Sequence, residues 1–529
     1  MNQKLALLTA LVTTGGAAAS VSAGGITNPG YGSQAQPRAG AFVAKADDPS
    51  AIFHNPAGLA KLKGTIVQLG INLINFSQTF QRSGTYDACT DPKCPSAGLP
   101  YAGQPYEQIE NQAHGAVSIG DFAMVPLLSA SSDFGLDLPI VFAAGIFAPG
   151  AASADREYAP GYQIEADPTS PPPPGRYDIL SQEVAVLFPS VAVAYSLNEK
   201  LDIGARVSWG FADLRAETSL WGLRNYEEWE ALDVQFETEA KDTFIPAFGF
   251  GAMYRPRTDV ELGFNFRSGA SIRGKGTGTA ASGSATLQEG LDLLEPKTEG
   301  PFVCGAGGTL AALTTCLNLD LPMVATIGGR WIHRDADGSE RADLEVDVQW
   351  ENWSAASDIS ILVDAKTVTL PGGLPVTKVH HGFMDVFSFR VGGAYKLPVL
   401  DDAISVRGGL AYDTKTAPNS WTRLDQDGFA RTTLGAGFAY DMPGWRFELS
   451  GGATLEGTRT VDNGGCNPDI NNLGCGGNNR ETEIDDRTAP DPAQPISSED
   501  DNTVAQSPFN AGVYEQGYVF LGMGVTAWF

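Results

Sequence analysis

Tyr518-Val519-Phe520-Leu521-Gly522-Met523-Gly524-Val525-Thr526-Ala527-Trp528-Phe529 is the stretch on which the fold turns. Val519, Leu521, Met523, Val525, Ala527 and Phe529 fall on one apolar face; Tyr518, Phe520, Gly522, Gly524, Thr526 and Trp528 fall on the other. A period of two marks an extended strand, whose successive side chains point to opposite sides. Working back along the chain, the alternation recurs at Val67 to Leu73, Leu201 to Phe211, Val260 to Phe266, Ile404 to Tyr412 and Trp445 to Leu455. Its sharpest form sets Ala342, Leu344, Val346, Val348 and Trp350 against Asp343, Glu345, Asp347, Gln349 and Glu351. One face suits lipid and the other water, which is what the wall of a membrane barrel requires.

With weaker repeats included, the pattern predicts about 14 strands between residues 64 and 529, an even number as bacterial barrels have. The connections alternate in length. Asn198 to Lys200, Pro398 to Asp401 and Met442 to Gly444 are tight, whereas residues 78–118, 149–182, 276–320 and 461–513 are long. Tight turns at one rim and long loops at the other predict an all-β fold, a transmembrane antiparallel β-barrel with long extracellular loops. Closure removes the free sheet edges that could not survive in hydrocarbon. Six cysteines form three local couples, Cys89 with Cys94, Cys304 with Cys316 and Cys466 with Cys475, all within the long connections. They read as loop disulfides, each stabilising by roughly 2–3 kcal/mol on a chain-entropy basis. Neither their spacing nor a nearby histidine suggests zinc.

Acidic residues outnumber basic ones 62 to 35, a formal charge of −27, and glycine is abundant at 62 of 529 residues. That balance argues against nucleic acid as a partner. Residues 1–23 carry Lys4, an apolar run from Leu5 to Val12 and the small residues Val21-Ser22-Ala23, the layout of a secretory signal peptide. No later run is long and apolar enough for a membrane helix. Residues 24–63 do not alternate, are rich in Gly and Ala, and precede the barrel of residues 64–529; they suit a hatch, or plug, filling a wide interior. The acidic run from Glu481 to Asp501 reads as a solvated loop.

Inside that N-terminal segment, Ala46-Asp47-Asp48-Pro49-Ser50-Ala51-Ile52-Phe53-His54-Asn55-Pro56-Ala57-Gly58-Leu59 resembles the hatch of the FadL/TodX family of outer-membrane transporters for hydrophobic compounds. Gly145-Ile146-Phe147-Ala148-Pro149-Gly150 resembles a second family segment, and the strand ending on Phe529 resembles the signal read by the barrel assembly machinery. The likeness spans the mature chain but not its loops. It implies a Gram-negative outer-membrane location and passive uptake of long-chain fatty acids or other hydrophobic compounds, with outer-membrane lipid and lipopolysaccharide as neighbours. It also implies a hatch gated around Asn55, Pro56, Ala57 and Gly58, and a lateral exit where the third strand is interrupted.

Pro139, Pro149 and Gly150 are the candidates for that interruption, because proline cannot complete a ladder. Ordinary turn chemistry at a strand end explains Pro149 equally well, and Asn55 also reads as a turn initiator. Arg206, Arg330, Arg390 and Arg407 point inward by alternation, and a guanidinium fork suits a carboxylate headgroup. Asp343, Glu345, Asp347 and Glu351 lie on the strand between those of Arg330 and Arg390, so an internal salt-bridge network is the simpler role. Nothing marks an enzyme or a cofactor site: there are five histidines and no Gly-x-Ser-x-Gly. Asp335 to Glu340 lacks the full ligand series of a calcium loop. The rival readings are a non-selective porin, which the N-terminal segment argues against, and a structural or adhesive surface barrel.

Overall fold

The alternating segments form one continuous antiparallel wall. The computed structural model describes residues 30–529 apart from 87–97, 115–117, 149–154, 168, 221–229, 285–294, 306–307, 310–311, 367–376, 420–421, 427, 462–503 and 506–510. The expected signal peptide, the couples Cys89–Cys94 and Cys466–Cys475, and Pro149 with Gly150 lie outside the described residues.

Fourteen strands make the wall. They are β1 (Thr65–Arg82), β2 (Phe122–Ser132), β3 (Ile140–Phe147), β4 (Ser181–Asn198), β5 (Leu201–Leu220) and β6 (Val234–Arg257). Four strands are each broken once: β7 (Val260–Arg267 and Ala270–Ser282), β8 (Leu313–Leu321 and Val324–Arg334), β9 (Glu340–Glu351 and Asp358–Val363) and β10 (Thr377–His380 and Val386–Leu397). The last four are β11 (Ile404–Asp413), β12 (Arg431–Met442), β13 (Trp445–Val461) and β14 (Gly512–Trp528). β14 pairs with β1 from Ile66↔Trp528 to Arg82↔Gly512, so the barrel closes. Short strands outside the wall, such as Gln108–Glu110 on β1 and Arg156–Glu157 on β4, belong to the long loops.

The two faces are sorted as lipid demands. On β5, Ile203, Val207, Trp209 and Phe211 are exposed on the outside, and Val207 keeps 63% of its surface, while Asp202, Arg206 and Ser208 are buried inside. In water such an exterior would associate; against acyl chains it is the stable arrangement. The tight turns all lie at the rim that also holds the end of β14. At the β12–β13 turn, Gly444 takes φ 79°, a conformation that a residue with a side chain adopts only under strain.

At the opposite rim Cys304 and Cys316 are bonded. The buried carboxylate of Asp364 accepts from the backbone amides of Val303, Cys304 and Gly305 at 2.7, 3.0 and 3.1 Å, which ties that loop to the upper wall. Pro139 corrects one expectation. It lies in the β2–β3 turn, one residue ahead of β3, and its carbonyl accepts from the Ser196 amide at 3.0 Å. Leu136 and Leu138, whose spacing mimics the start of a strand, are exposed residues of that turn.

Replacing Leu449, which faces outward from β13 with 55% of its surface exposed, by arginine should destabilise the lipid-embedded barrel by about 2 kcal/mol. Urea titration in lipid vesicles would register the loss.

Candidate functional site

Residues 30–62 are almost wholly buried and are built from short helical turns: Gln36–Arg38, Ala51–His54 and Pro56–Lys61. Ala35, Phe42, Ala46, Ile52, Ala57 and Leu59 of the segment share one buried apolar cluster, and the wall supplies the rest of its contacts. Those contacts divide into a charged side and an apolar side.

On the charged side the acidic face of β9 receives the segment. The Arg38 guanidinium bridges Asp343 at 2.6 Å and Glu345 at 3.1 Å. The amides of Phe42 and Val43 donate to Asp347 at 2.9 and 3.1 Å, and that of Ala44 donates to Glu345 at 2.6 Å. Lys45 reaches Glu340 and Asp343 at 3.3 and 3.5 Å, and Lys61 meets Glu261 of β7 at 2.9 Å. Arg330 lies among the same carboxylates, bonded to Glu261 at 2.9 Å, to Asp343 at 3.1 Å and to Glu340. Arg407 pairs with Glu448 at 2.6 Å, and the Ser33 hydroxyl donates to that same carboxylate. Removing one partner from such a set strands a buried charge, which typically costs about 3–5 kcal/mol.

Asn55 joins the segment to itself and to β6. Its amide nitrogen donates to the carbonyls of Val43 and Ala252 at 2.7 and 3.2 Å, and its oxygen accepts from the Ala57 amide at 3.1 Å, capping the turn that begins at Pro56. The approach is close enough that a Cβ on Gly251 of β6 would lie 2.0 Å from the Asn55 oxygen. Pro56, Ala57 and Gly58 are buried in the same turn.

On the apolar side Tyr31, Ile52 and Phe53 pack with Leu127, Val141, Ala143, Phe147 and Ala192 of β2 to β4. Phe53 lies 4.4 Å from Tyr31 and 5.7 Å from Phe147, ring centre to ring centre. Over the same ring stand two guanidinium groups, Arg267 at 4.3 Å and Arg206 at 5.6 Å. With Arg390 they act on His54, whose ring donates to the Tyr31 carbonyl at 2.8 Å. Burial first, and then these three cations, hold the His54 pKa down to about 3. The Nε of Arg206 and of Arg390 lacks a hydrogen-bond partner among the described residues, as does that of Arg267. The neighbouring carboxylate, Glu351, accepts from Trp353 at 2.8 Å and from Gln349 at 2.5 Å instead.

Beside this cluster the wall is incomplete. β2 pairs with β1 from Ile74↔Ala123 to Thr65↔Ser132, but with β3 only from Leu128↔Ile146 to Ser132↔Phe142. Beyond it the hairpin residues Ser118 and Ile119 pair with Ala123 and Phe122. Met124 to Leu127 therefore have no neighbour on that side among the described residues, a gap about 13 Å long at the usual rise per residue. Pro126 sits in its middle and cannot donate to a ladder. Val125 and Leu127 face inward there and are buried.

Of the four arginines expected to face a headgroup, Arg330 and Arg407 are ion-paired with carboxylates, Arg206 stands with Arg267 over Phe53, and Arg390 acts on His54 as well as on Asp347 and Asp413. Arg267 lies on the polar face of β7 and was open to the same alternation argument. Pro126 inside the β2 run was the available sign of an interrupted ladder.

The profile of the family described as outer membrane protein transport protein (OMPP1/FadL/TodX) matches residues 14–444. The chain is 24% identical over 444 residues to the Neisseria meningitidis serogroup B protein NMB0088, covering 82% of this chain and 86% of the relative. Among solved structures, a Pseudomonas aeruginosa FadL homologue superposes with a TM-score of 0.66 at 16% identity, over 97% of this chain and all, 100%, of the other. The Ralstonia pickettii toluene transporter TbuX gives 0.59 at 14% identity, over 95% and 99% of the two chains. The Pseudomonas putida toluene transporter TodX gives 0.58 at 15%, also over 95% and 99%.

Two outcomes are expected. Asn55→Ala should weaken the seating of residues 30–62 by about 1–3 kcal/mol, since it leaves buried backbone groups unsatisfied; limited proteolysis of the folded protein would show faster cutting in that segment. His54 is neutral in the folded protein down to pH about 3, whereas it takes up a proton near 6.5 once unfolded. Its contribution is thus complete above pH 6.5 and is lost as pH falls from there towards 3. Between pH 7.5 and 5 the parent should lose about 2 kcal/mol more than His54→Gln, read from denaturant midpoints at the two pH values.

Proposed function

The chain belongs to the outer membrane protein transport protein (OMPP1/FadL/TodX) family, and from that premise we propose that it admits amphipathic acids of the long-chain fatty acid class to a lumen closed by residues 24–63. As a member of the family it resides in the Gram-negative outer membrane and transports hydrophobic small molecules; it is neither a general pore nor an adhesin.

In this reading residues 24–63 are the hatch. Support comes from the charged seating of Arg38, Lys45 and Lys61 on β7 and β9 and from the near-total burial of the described part of the segment. The hatch is held firmly on its charged side, because separating it there would leave several buried carboxylates without partners. On the side of Tyr31, Ile52 and Phe53 only apolar contacts and the cation-facing ring oppose movement. A small swing of Phe53 would connect the lumen with the gap at Met124 to Leu127. The apolar solute would then leave sideways into the membrane, without energy coupling, down its own gradient. Exit through the wall spares an apolar chain from crossing water, which an axial route would impose. Pro126, and the lack of a described ladder partner for Met124 to Leu127 toward β3, support the gap as that exit. Phe529, at the end of β14, would serve as the terminal residue recognised by the barrel assembly machinery.

The observation that carries the substrate class is the trio Arg206, Arg267 and Arg390. Three buried guanidinium groups converge on Phe53 and His54 with donor capacity left over. Glu351 acts on Arg267, and Asp347 and Asp413 act on Arg390, whereas no carboxylate among the described residues acts on Arg206. Burying a cation is costly, and a bound carboxylate would offset that cost while its tail occupied the apolar side. Neutral hydrocarbons of the kind named in the TbuX and TodX titles would gain nothing from the trio.

The test is uptake of labelled oleate and labelled toluene by cells producing the intact protein or the single variants Arg206→Ala, Arg267→Ala and Arg390→Ala. Oleate uptake should fall about tenfold in each variant, in line with the loss of one charge-assisted hydrogen bond, and toluene uptake should not change. Equal losses for both solutes, or none for either, would contradict an acid-selective passage.

A further inference from the structure

The loop joining β11 to β12 does not extend away from the rim. Thr416, Ala417, Thr422, Arg423, Leu424, Asp425, Gln426, Gly428 and Phe429 are all buried. The loop folds inward and meets residues 172–180 of the β3–β4 connection, which are likewise nearly all buried. Leu424 packs with Ile179 and Tyr158 from that connection, with Phe80 of β1, Val461 of β13 and Tyr514 of β14. β13, β14 and β1 are neighbours in the wall, and the same two loops reach further round the rim to His381 of the β9–β10 connection and, through Arg176, to Asp233 ahead of β6, so together they lie across the long-loop mouth of the barrel.

The fastening is largely ionic. Arg423 bridges Asp178 at 2.7 Å and Asp425 at 3.2 Å, and the Leu424 amide donates to Asp178 at 2.5 Å. Asp425 also takes His381 of the β9–β10 connection at 2.9 Å. Arg459 of β13 donates to the Thr422 hydroxyl at 2.9 Å and to the Gly428 carbonyl at 3.1 Å, with its guanidinium 4.1 Å from the centre of the Phe429 ring. At the rim, unlike inside the lumen, charges held in this way recover hydration when they separate into water, which offsets part of the cost of opening. The cysteines point the same way: residues 155–180 and 414–430 contain none, whereas three other long connections each carry a cysteine couple or, for Cys304 and Cys316, a bond between the loop and the wall.

The geometry points to the loop carrying Arg423, Leu424 and Asp425 as an entry lid, which rests on residues 172–180 and swings outward to admit a hydrophobic solute. This rests on the passage proposed above and adds a second barrier, opposite the hatch, through which the solute must pass first.

Two variants test it. A Cβ at Gly175 would lie 2.6 Å from the tip of Leu424, so Gly175→Cys combined with Leu424→Cys brings two thiols together while the shorter side chain makes room. Cross-linking is confirmed by mass spectrometry, and folding by the faster gel migration of an unheated barrel. Oxidised cells should take up labelled oleate at least tenfold more slowly than reduced ones, with the parent protein unaffected by the same reductant. Equal uptake in both states would overturn the lid and leave the passage standing. Absence of uptake even by the parent would overturn the passage and the lid with it. The second variant does not depend on transport. Leu424→Cys alone should react with a membrane-impermeant maleimide on intact cells, because an opening lid exposes it; a folded protein that stays unlabelled until denatured would show a static cap.

Discussion

The constraint on which everything else depends is that a sheet in hydrocarbon must pair its own backbone. Each unpaired amide or carbonyl facing lipid costs several kcal/mol. β14 therefore closes on β1 along the length of both strands, and the exposed side chains on the outside are apolar. The same constraint gives meaning to the places where the ladder lapses among the described residues, of which the stretch of β6 between Lys241 and Gly249 toward β7 is one and the edge of β2 toward β3 another. Among the described residues Met124 to Leu127 have no neighbour toward β3, and Pro126 lowers the expense of such a lapse by having no donor to strand. A lateral opening is a reasonable use for such a feature, and Tyr31, Phe53 and Phe147 stand just behind it.

Closing so many strands leaves an interior too wide for wall side chains to fill. The inward carboxylates of β9 would be untenable there alone. They are matched by cations on the N-terminal segment and on β8: Arg38, Lys45 and Arg330. The polar half of the lumen thus anchors the segment, while the apolar half holds Phe53 beneath Arg206 and Arg267. An interior divided in this way reconciles a firmly held segment with a movable edge.

Much of the wall was legible in the sequence because a period of two survives any loop length. The alternation at Ala342 to Glu351 named both faces of β9 before any coordinates, and the parity of loop lengths separated the two rims. What failed is equally physical. Leu136 and Leu138 alternate with polar residues as a strand would, yet they cap a turn at the membrane edge, where apolar exposure is tolerated. The partners of the β9 carboxylates were sought on neighbouring strands, since alternation speaks only of the sheet. Arg38 and Lys45 are about 300 positions away in sequence, in a segment with no period to read. Alternation puts Arg267 on the polar face opposite Val260 to Phe266, but it does not say which ring or residue that side chain meets across the lumen. The hatch motif told where a cap and turn would form; which wall glycines would make room for it, such as Gly251 against Asn55, emerges only when both are in place.

The most direct measurement is ion conductance in planar bilayers of the intact protein beside a form lacking residues 24–62. If the N-terminal segment closes the lumen and the route for solute is lateral, the intact barrel will carry no steady current, and the truncated one will carry a large current, interrupted whenever the loop at the opposite mouth rests closed. Steady conductance of the same size from both would mean that the lumen is open along its axis, and would contradict the account.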